Sequence, residues 1–301
     1  MDEVNHVWVR GLGAGTEHRY EITVDGRPWA PAECMSWHRL DGQRGELRPS
    51  GRTYDCRFRT FPGRGSTDTL RFAALGDNIY RLESESVGGS GAEDDDWYFS
   101  YHEPYLFVIN RVPVYPTVGN HDGAETEASD DRAQLADNHF TDVRFLSSVE
   151  DDRSAVTIED GETPGLFYRF SFGDLVEFVC VDTSEAGAFE ADRYFDDPEH
   201  LPFLEEAFDP DRDRPRWLVP FSHHPVYTAG PHHENDVFQI RTLLPRYVGA
   251  GVQVVLAGHE HNFQHAVDGD GIHHFVCGAG GKLQHGRPEE TAAAHVCGVP
   301  E

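Results

Sequence analysis

The first sixty residues alternate apolar and polar positions in short runs. These runs, HVWVRGL, RYEITVDGRPW and TYDCRFRTF, are separated by Gly, Pro and Asp, and their two-residue period predicts β-strands. Asp25-Gly26 is typical of the turn of a hairpin. The strands are too few for a complete two-sheet sandwich, which has about seven. We therefore predict a partial β-sandwich over residues 1–62, incomplete at its N-terminus, and a polar linker over residues 63–69.

From Leu70 onward the apolar runs are longer and end in short polar segments. FAALGD, VPVYPTVGNHD, RWLVPFSHHP, VQVVLAGHEH and HHFVCGAGG all follow this pattern. Between them, YFSYHEPYLFVIN and DVFQIRTLLPRYVGAG have the apolar spacing of helices. Strand, loop and helix in succession predict an α/β layered domain over residues 70–301.

The charge of the chain is strongly negative. Among 301 residues, 53 are acidic and 25 basic, which gives a formal net charge of −28. This charge disfavours nucleic acid and anionic membrane surfaces as partners. It is typical of a salt-adapted (halophilic) source, the alternative being the acidic composition of an arginine-favouring genome. The composition leaves the oligomeric state open.

The cysteines and the N-terminus indicate the compartment. The five cysteines (34, 56, 180, 277 and 297) include no CxxC pair, and we expect reduced, mostly buried thiols. The N-terminal sequence has neither the basic nor the apolar region of a signal peptide. We therefore expect a cytoplasmic protein, or a secreted one if the chain lacks its natural beginning.

Four predicted strand ends carry polar side chains that suit a metal. They are Asp77, Asn120-His121-Asp122, His223-His224 and His259-Glu260-His261. Side chains in an extended segment alternate, so His259 and His261 project the same way and can bind one ion or two adjacent ones. Carboxylate, carboxamide and imidazole together are typical ligands of zinc, iron or manganese. With 18 histidines in the chain, a single HxH tripeptide can arise by chance, but polar side chains at four strand ends cannot be explained in this way. We therefore predict a metal site.

The motifs GDNIY, GNHD, SHHPVY, PHHEND and GHEH, in this order, resemble those of the calcineurin-like metallophosphoesterases, most closely the purple acid phosphatase branch. The resemblance implies a four-layer α/β/β/α sandwich around two metal ions, iron with zinc, manganese or a second iron. It also implies that the N-terminal segment is the end of a fibronectin-like domain. The implied reaction is hydrolysis of a small phosphate monoester by a metal-activated water.

The resemblance also implies six metal ligands: Asp77, Tyr80, Asn120, His223, His259 and His261. Asp77 would bridge both ions. Tyr80 and His261 would bind the first, ferric ion. Asn120, His223 and His259 would bind the second, divalent ion.

Three further histidines are implied to act on the substrate. His121 would contact the phosphate and protonate the leaving group. His232 and His233 would contact the substrate, with His232 the second catalytic candidate; the alternative for this pair is a solvated loop. The resemblance implies no ligand role for five other residues, and we interpret them as residues that surround the metal ligands or lie on the surface: His224, Asp122, His265, His273 and His274.

The chain departs from the family at its first motif. The family has two Gly-Asp strand ends before GNHD, whereas this chain has only Gly76-Asp77, as if the two motifs had merged. The first ion would lose one carboxylate, which Asp94, Asp95 or Asp96 could replace. The alternatives to an active phosphatase are therefore a degenerate member that binds one divalent ion with little catalysis, and a phosphodiesterase or nucleotide hydrolase on the same fold.

Overall fold

A computed structural model gives the fold. It describes residues 9, 11–28, 35–38, 46–49, 51, 55–77, 105, 108–119, 143–146, 155–157, 167–183, 200–230 and 238–280. Several residues with a predicted role lie outside these ranges: Tyr80, Asp94, Asp95, Asp96, Asn120, His121, Asp122, His232 and His233.

The N-terminal part forms three small antiparallel sheets. Strand β1 (Glu17–Arg19) pairs with β6 (Arg57–Arg59), β2 (Thr23–Val24) with β3 (Arg27–Pro28), and β4 (Met35–His38) with β5 (Glu46–Pro49). Asp25 and Gly26 both have positive φ, 52° and 72°, as the tight turn of a hairpin requires. The hairpin prediction is therefore confirmed, while the boundaries of the domains stay a prediction.

An eight-stranded mixed sheet forms the centre of the molecule. Its strands are β7 (Val143–Leu146), β8 (Ala155–Thr157), β9 (Tyr168–Phe172), β10 (Val176–Cys180), β11 (Trp217–Phe221), β12 (Val254–Ala257), β13 (Phe263–Val267) and β14 (His273–Cys277). They lie in the order β13-β14-β12-β11-β10-β9-β7-β8. Strands β10, β11, β12 and β14 run parallel to their neighbours in this series, so their carboxyl ends meet at one edge of the sheet.

One face of the sheet is covered by helices. Helix α1 (His200–Ala207) contributes Leu204, and a 3-10 helix (Phe238–Leu243) continues into α2 (Leu244–Gly249), which contributes Tyr247. Both side chains are fully buried against alternate residues of β10 to β12. The predicted α/β class is thereby confirmed. Among the described helices, none is long and apolar enough to cross a membrane.

The opposite face is covered by extended chain. Tyr115 stacks on Phe170 of β9 with ring centroids 3.6 Å apart, and Leu70 packs against the same cluster. Residues 70–77, predicted as the opening strand, are not part of any strand. Their end is held by backbone bonds from Gly76 N–H to the Cys277 carbonyl and from Gly280 N–H to the Gly76 carbonyl. Strand pairing requires a neighbour along the whole run, which the pattern of apolar residues does not guarantee.

The side of the sheet under α1 carries a buried charge network. Glu177 of β10 is 1% exposed. Its carboxylate accepts hydrogen bonds from Arg169, at 3.3 Å, and from both terminal nitrogens of Arg212. Arg169 also pairs with Glu206, whose side chain is 63% exposed. Two guanidinium groups therefore share one buried carboxylate.

Replacement of this carboxylate is expected to destabilise the fold. Glu177→Ala leaves the Arg212 guanidinium without this carboxylate and removes one carboxylate partner of Arg169, so it should lower the free energy of unfolding by about 3 to 5 kcal/mol. The matched control, Glu206→Ala, removes an exposed partner and should cost about 0 to 1 kcal/mol. Urea unfolding followed by circular dichroism measures both. Equal, small effects of the two variants would contradict the buried network.

Candidate metal centre

The metal centre lies where the strand ends of the central sheet converge. The loops after β11 and β12 are joined by hydrogen bonds from Ser222 N–H to the Leu256 carbonyl and from Gly258 N–H to the His223 carbonyl, at 3.1 and 2.8 Å. Gly76 joins this group through its 2.8 Å bond to the Cys277 carbonyl. These bonds bring together four segments of the chain, around residues 76, 222–223, 256–258 and 277.

Asp77 occupies the middle of the convergence. Its Oδ2 accepts a hydrogen bond from the backbone N–H of His259 at 2.9 Å. Its Oδ1 lies 3.4 Å from Nε2 of His261. The side chains of Asp77 and His261 are only 6% and 5% exposed. A buried carboxylate is thus held by the same short loop that carries two imidazoles.

Three imidazoles cluster near Asp77, on the loops after β11 and β12. Nε2 of His223 is 3.2 Å from Nδ1 of His259, close to the separation of two nitrogens that bind one zinc-sized ion at about 2.1 Å each. His224 lies beside both, with ring centroids 4.8 Å from His223 and 4.4 Å from His259. One ligand nitrogen from each ring lies within 4.8 Å of the other two. Nitrogen donors are therefore concentrated at this end of the site.

Backbone strain is concentrated at the same place. Asp77 and His259 have φ angles of 58° and 71°, in the left-handed region that non-glycine residues seldom occupy. Among the described residues, Asp25 of the hairpin turn is the only other non-glycine residue with positive φ. Such strain typically marks sites where the surrounding structure holds a side chain in a functional position.

Glycines allow the ligand side chains to pack this closely. A Cβ atom at Gly119 would lie 2.9 Å from the His223 ring. One at Gly258 or Gly278 would lie 2.9 or 2.6 Å from Oδ2 of Asp77. Since real side chains do not approach so closely, these positions require glycine in the present arrangement.

The donor set fits metal ions. Buried imidazoles and a buried carboxylate are costly without a compensating partner, and here they converge in one pocket of strained backbone. Several imidazole nitrogens together with a carboxylate form a donor set that suits zinc, iron or manganese. Cys180, at the end of β10, is not among the described side chains grouped closely enough to hold an ion, and burial raises the pKa of its thiol.

A comparison with protein families identifies the chain. The sequence profile of the calcineurin-like phosphoesterases matches residues 68–263, which is more than half of the chain and includes every residue described in this site except Cys277 and Gly278. The chain belongs to this family. A search of the curated proteins gave no match.

Solved structures resemble the phosphoesterase chain at low identity. Purple acid phosphatase PPD1 from yellow lupin (Lupinus luteus) seeds is 14% identical, with a TM-score of 0.56, and the alignment covers 86% of this chain and 52% of that one. GAP50, the anchor in the inner membrane complex of Plasmodium, is 18% identical (TM-score 0.44; 67% and 62% covered). A dimetal phosphatase from Danio rerio is 14% identical (TM-score 0.40; 62% and 67% covered).

These similarities bear on the fold. The lupin enzyme, with the TM-score above 0.5, supports the metallophosphoesterase architecture for this chain. The phosphoesterase chain spans 62% and 52% of the lengths of the Plasmodium and lupin structures.

Four of the six predicted ligands come together in the structure: Asp77, His223, His259 and His261. The other two, Tyr80 and Asn120, lie outside the described residues, as do the three predicted substrate histidines. The ligand and substrate roles themselves stay predictions.

His224 is the residue that sequence reasoning missed. Its side chain is 1% exposed and lies within the imidazole cluster, so it is not a surface residue. The doubled histidine at the end of a predicted strand was the available signal. His265 and His273, by contrast, lie apart on the β13–β14 hairpin, where their nitrogens are 2.9 Å from each other.

Substitution of a site glycine is expected to weaken metal binding. Gly119→Ala should displace the His223 ring and lower zinc affinity by about 10- to 100-fold, the usual cost of disturbing a group that orients a ligand. Gly269→Ala, where the added Cβ meets open space, is the control and should leave affinity unchanged. Calorimetric titration of metal-free protein measures both. Unchanged affinity in Gly119→Ala would contradict the placement of His223.

Proposed function

We propose that this phosphoesterase hydrolyses small phosphate monoesters at a dinuclear metal centre of the purple acid phosphatase type. The observation that carries the proposal is the position of Asp77, whose two carboxylate oxygens face the backbone of His259 and the side chain of His261. A carboxylate that lies beside His261 and is bonded to the loop that carries His259 would be in a position to bind the ions that these histidines would hold.

The residues of the chain divide the work of binding. His223 and His259 would hold a divalent ion together with Asn120, and His261 would hold the first ion together with Tyr80. When bound, the two ions offset the charge of the phosphate and lower the pKa of a bound water, so that hydroxide is available for attack. We propose iron with zinc, manganese or a second iron as the metals.

His121 is proposed as the proton donor. It follows Asn120, a proposed metal ligand, directly in the sequence. An imidazolium there can protonate the leaving alkoxide. His232 and His233 are proposed to contact the substrate. His233 follows the buried Gly230 by three residues, and Gly230 packs directly against Glu260, which lies between the proposed ligands His259 and His261. The net charge of −28 supports a small substrate rather than a nucleic acid.

Loss of one imidazole from the centre is expected to abolish turnover. His259→Ala removes a nitrogen that faces His223, so hydrolysis of a chromogenic phosphomonoester should fall by at least about 1,000-fold, consistent with the loss of several kcal/mol of transition-state stabilisation. His265→Ala, on the outer hairpin, should retain activity and is the matched control. Wild-type protein without activity under any combination of iron, zinc and manganese would contradict the proposal.

Removal of the metals provides an independent test. Prolonged dialysis against a chelator should abolish activity, and readdition of iron with zinc or manganese should restore it. Elemental analysis of the restored protein should give about two ions per chain, as the dinuclear mechanism requires. A value near one with full activity would rule out the dinuclear centre while leaving a metal-dependent hydrolase.

A further inference from the structure

We propose that His224 is an additional ligand of the ion held by His223 and His259, so that this ion is bound by three imidazoles. The inference rests on the metal centre of the proposed function. It starts from the observation that these three histidines form the one group of at least three metal-binding side chains found close together within the described residues. All three side chains are buried, at 8%, 1% and 4% exposure for His223, His224 and His259.

The environment of His224 is that of a metal-binding histidine. Thr183, which follows β10, lies 3.1 Å from Nδ1 of His224 through its Oγ1, and the same oxygen accepts the backbone N–H of His224 at 3.1 Å. Metal-binding histidines usually donate one ring N–H to a neighbouring oxygen, which fixes the tautomer and the ring orientation. A hydrogen bond from Nδ1 to Thr183 would make Nε2 the nitrogen that binds the ion.

The backbone around His224 is equally constrained. Oγ of Ser222 donates to the carbonyl of His224 at 2.9 Å, and the residue is followed by Pro225, which restricts its backbone conformation. The imidazole is therefore fixed by Thr183 and by the rings of its two neighbours, and the backbone that carries it is fixed by Ser222. Such fixation lowers the entropic cost of closing around an ion.

A third imidazole makes the two ends of the centre unequal. His223, His224 and His259 form a group of nitrogen donors, whereas His261 lies beside the Asp77 carboxylate. Imidazole is a preferred ligand of zinc and copper, while carboxylate oxygens favour harder ions. We therefore expect the first equivalent of zinc to occupy the three-histidine end.

X-ray absorption spectroscopy counts imidazoles around zinc directly. Metal-free protein is loaded with one equivalent of zinc, and the extended fine structure of wild type and His224→Ala is compared. We expect at least three imidazoles in wild type and one fewer in the variant, with zinc affinity reduced by about 10- to 100-fold or more. An equal count in both proteins, or two imidazoles in wild type, would overturn the inference.

Two further variants keep the result interpretable. His224→Gln preserves most of the side-chain volume and must lose the same imidazole if His224→Ala folds poorly. His274→Ala removes a histidine that is equally buried, at 3% exposure, but is hydrogen-bonded to Asp268 outside the cluster, and should leave the count unchanged. If the wild-type protein hydrolyses phosphomonoesters but His224→Ala has the same number of imidazoles around zinc, the proposed role of His224 is contradicted and the proposed function is not. Wild-type protein that binds no metal contradicts the proposed function as well.

Discussion

The hydrogen bond between the Asp77 carboxylate and the backbone of His259 is the contact on which the site depends. It joins residues 182 positions apart in the chain and holds both in left-handed backbone conformations. Because neither residue adopts this conformation readily, the surrounding bonds of Gly76, Gly258 and Cys277 must supply the stabilisation. The contact fixes the distance between the carboxylate and the imidazoles before any ion binds.

Such prior arrangement matters for a hydrolase because the charge of the reacting phosphate must be offset by groups that are already in position. The glycines around Asp77 and His223 exclude side chains that would separate the ligands. The core on the helical face keeps the strand ends in register through fully buried residues such as Leu204, Tyr247 and Val255. The central sheet thus serves as a rigid base for loops that are individually strained.

Much of this arrangement could be predicted from the sequence, and the exceptions have physical reasons. Apolar runs that end in SHHP and GHEH predicted strands β11 and β12, respectively. Because parallel strands present their carboxyl ends at one edge of a sheet, the convergence of the histidines after these strands was also predicted. The alternation expected for His259 and His261 did not specify their neighbours: the ring of His259, whose φ is positive, lies beside His223, and that of His261 lies beside Asp77. The strand expected at residues 70–77 did not form, because pairing depends on a neighbour that local pattern does not specify. The position of His224 depends on its contact with Thr183, 41 residues earlier, which no local pattern encodes.

The central claim is that Asp77 and the histidines of the two loops hold metal ions, and anomalous diffraction tests it most directly. Crystals grown with zinc or manganese would be measured on both sides of the absorption edge of the metal. We expect an anomalous peak within about 2.5 Å of an Asp77 carboxylate oxygen and of a nitrogen of His261, His223 or His259, the range of metal–ligand bonds in proteins. Metal peaks located elsewhere, with none within ligand distance of Asp77, would contradict the claim.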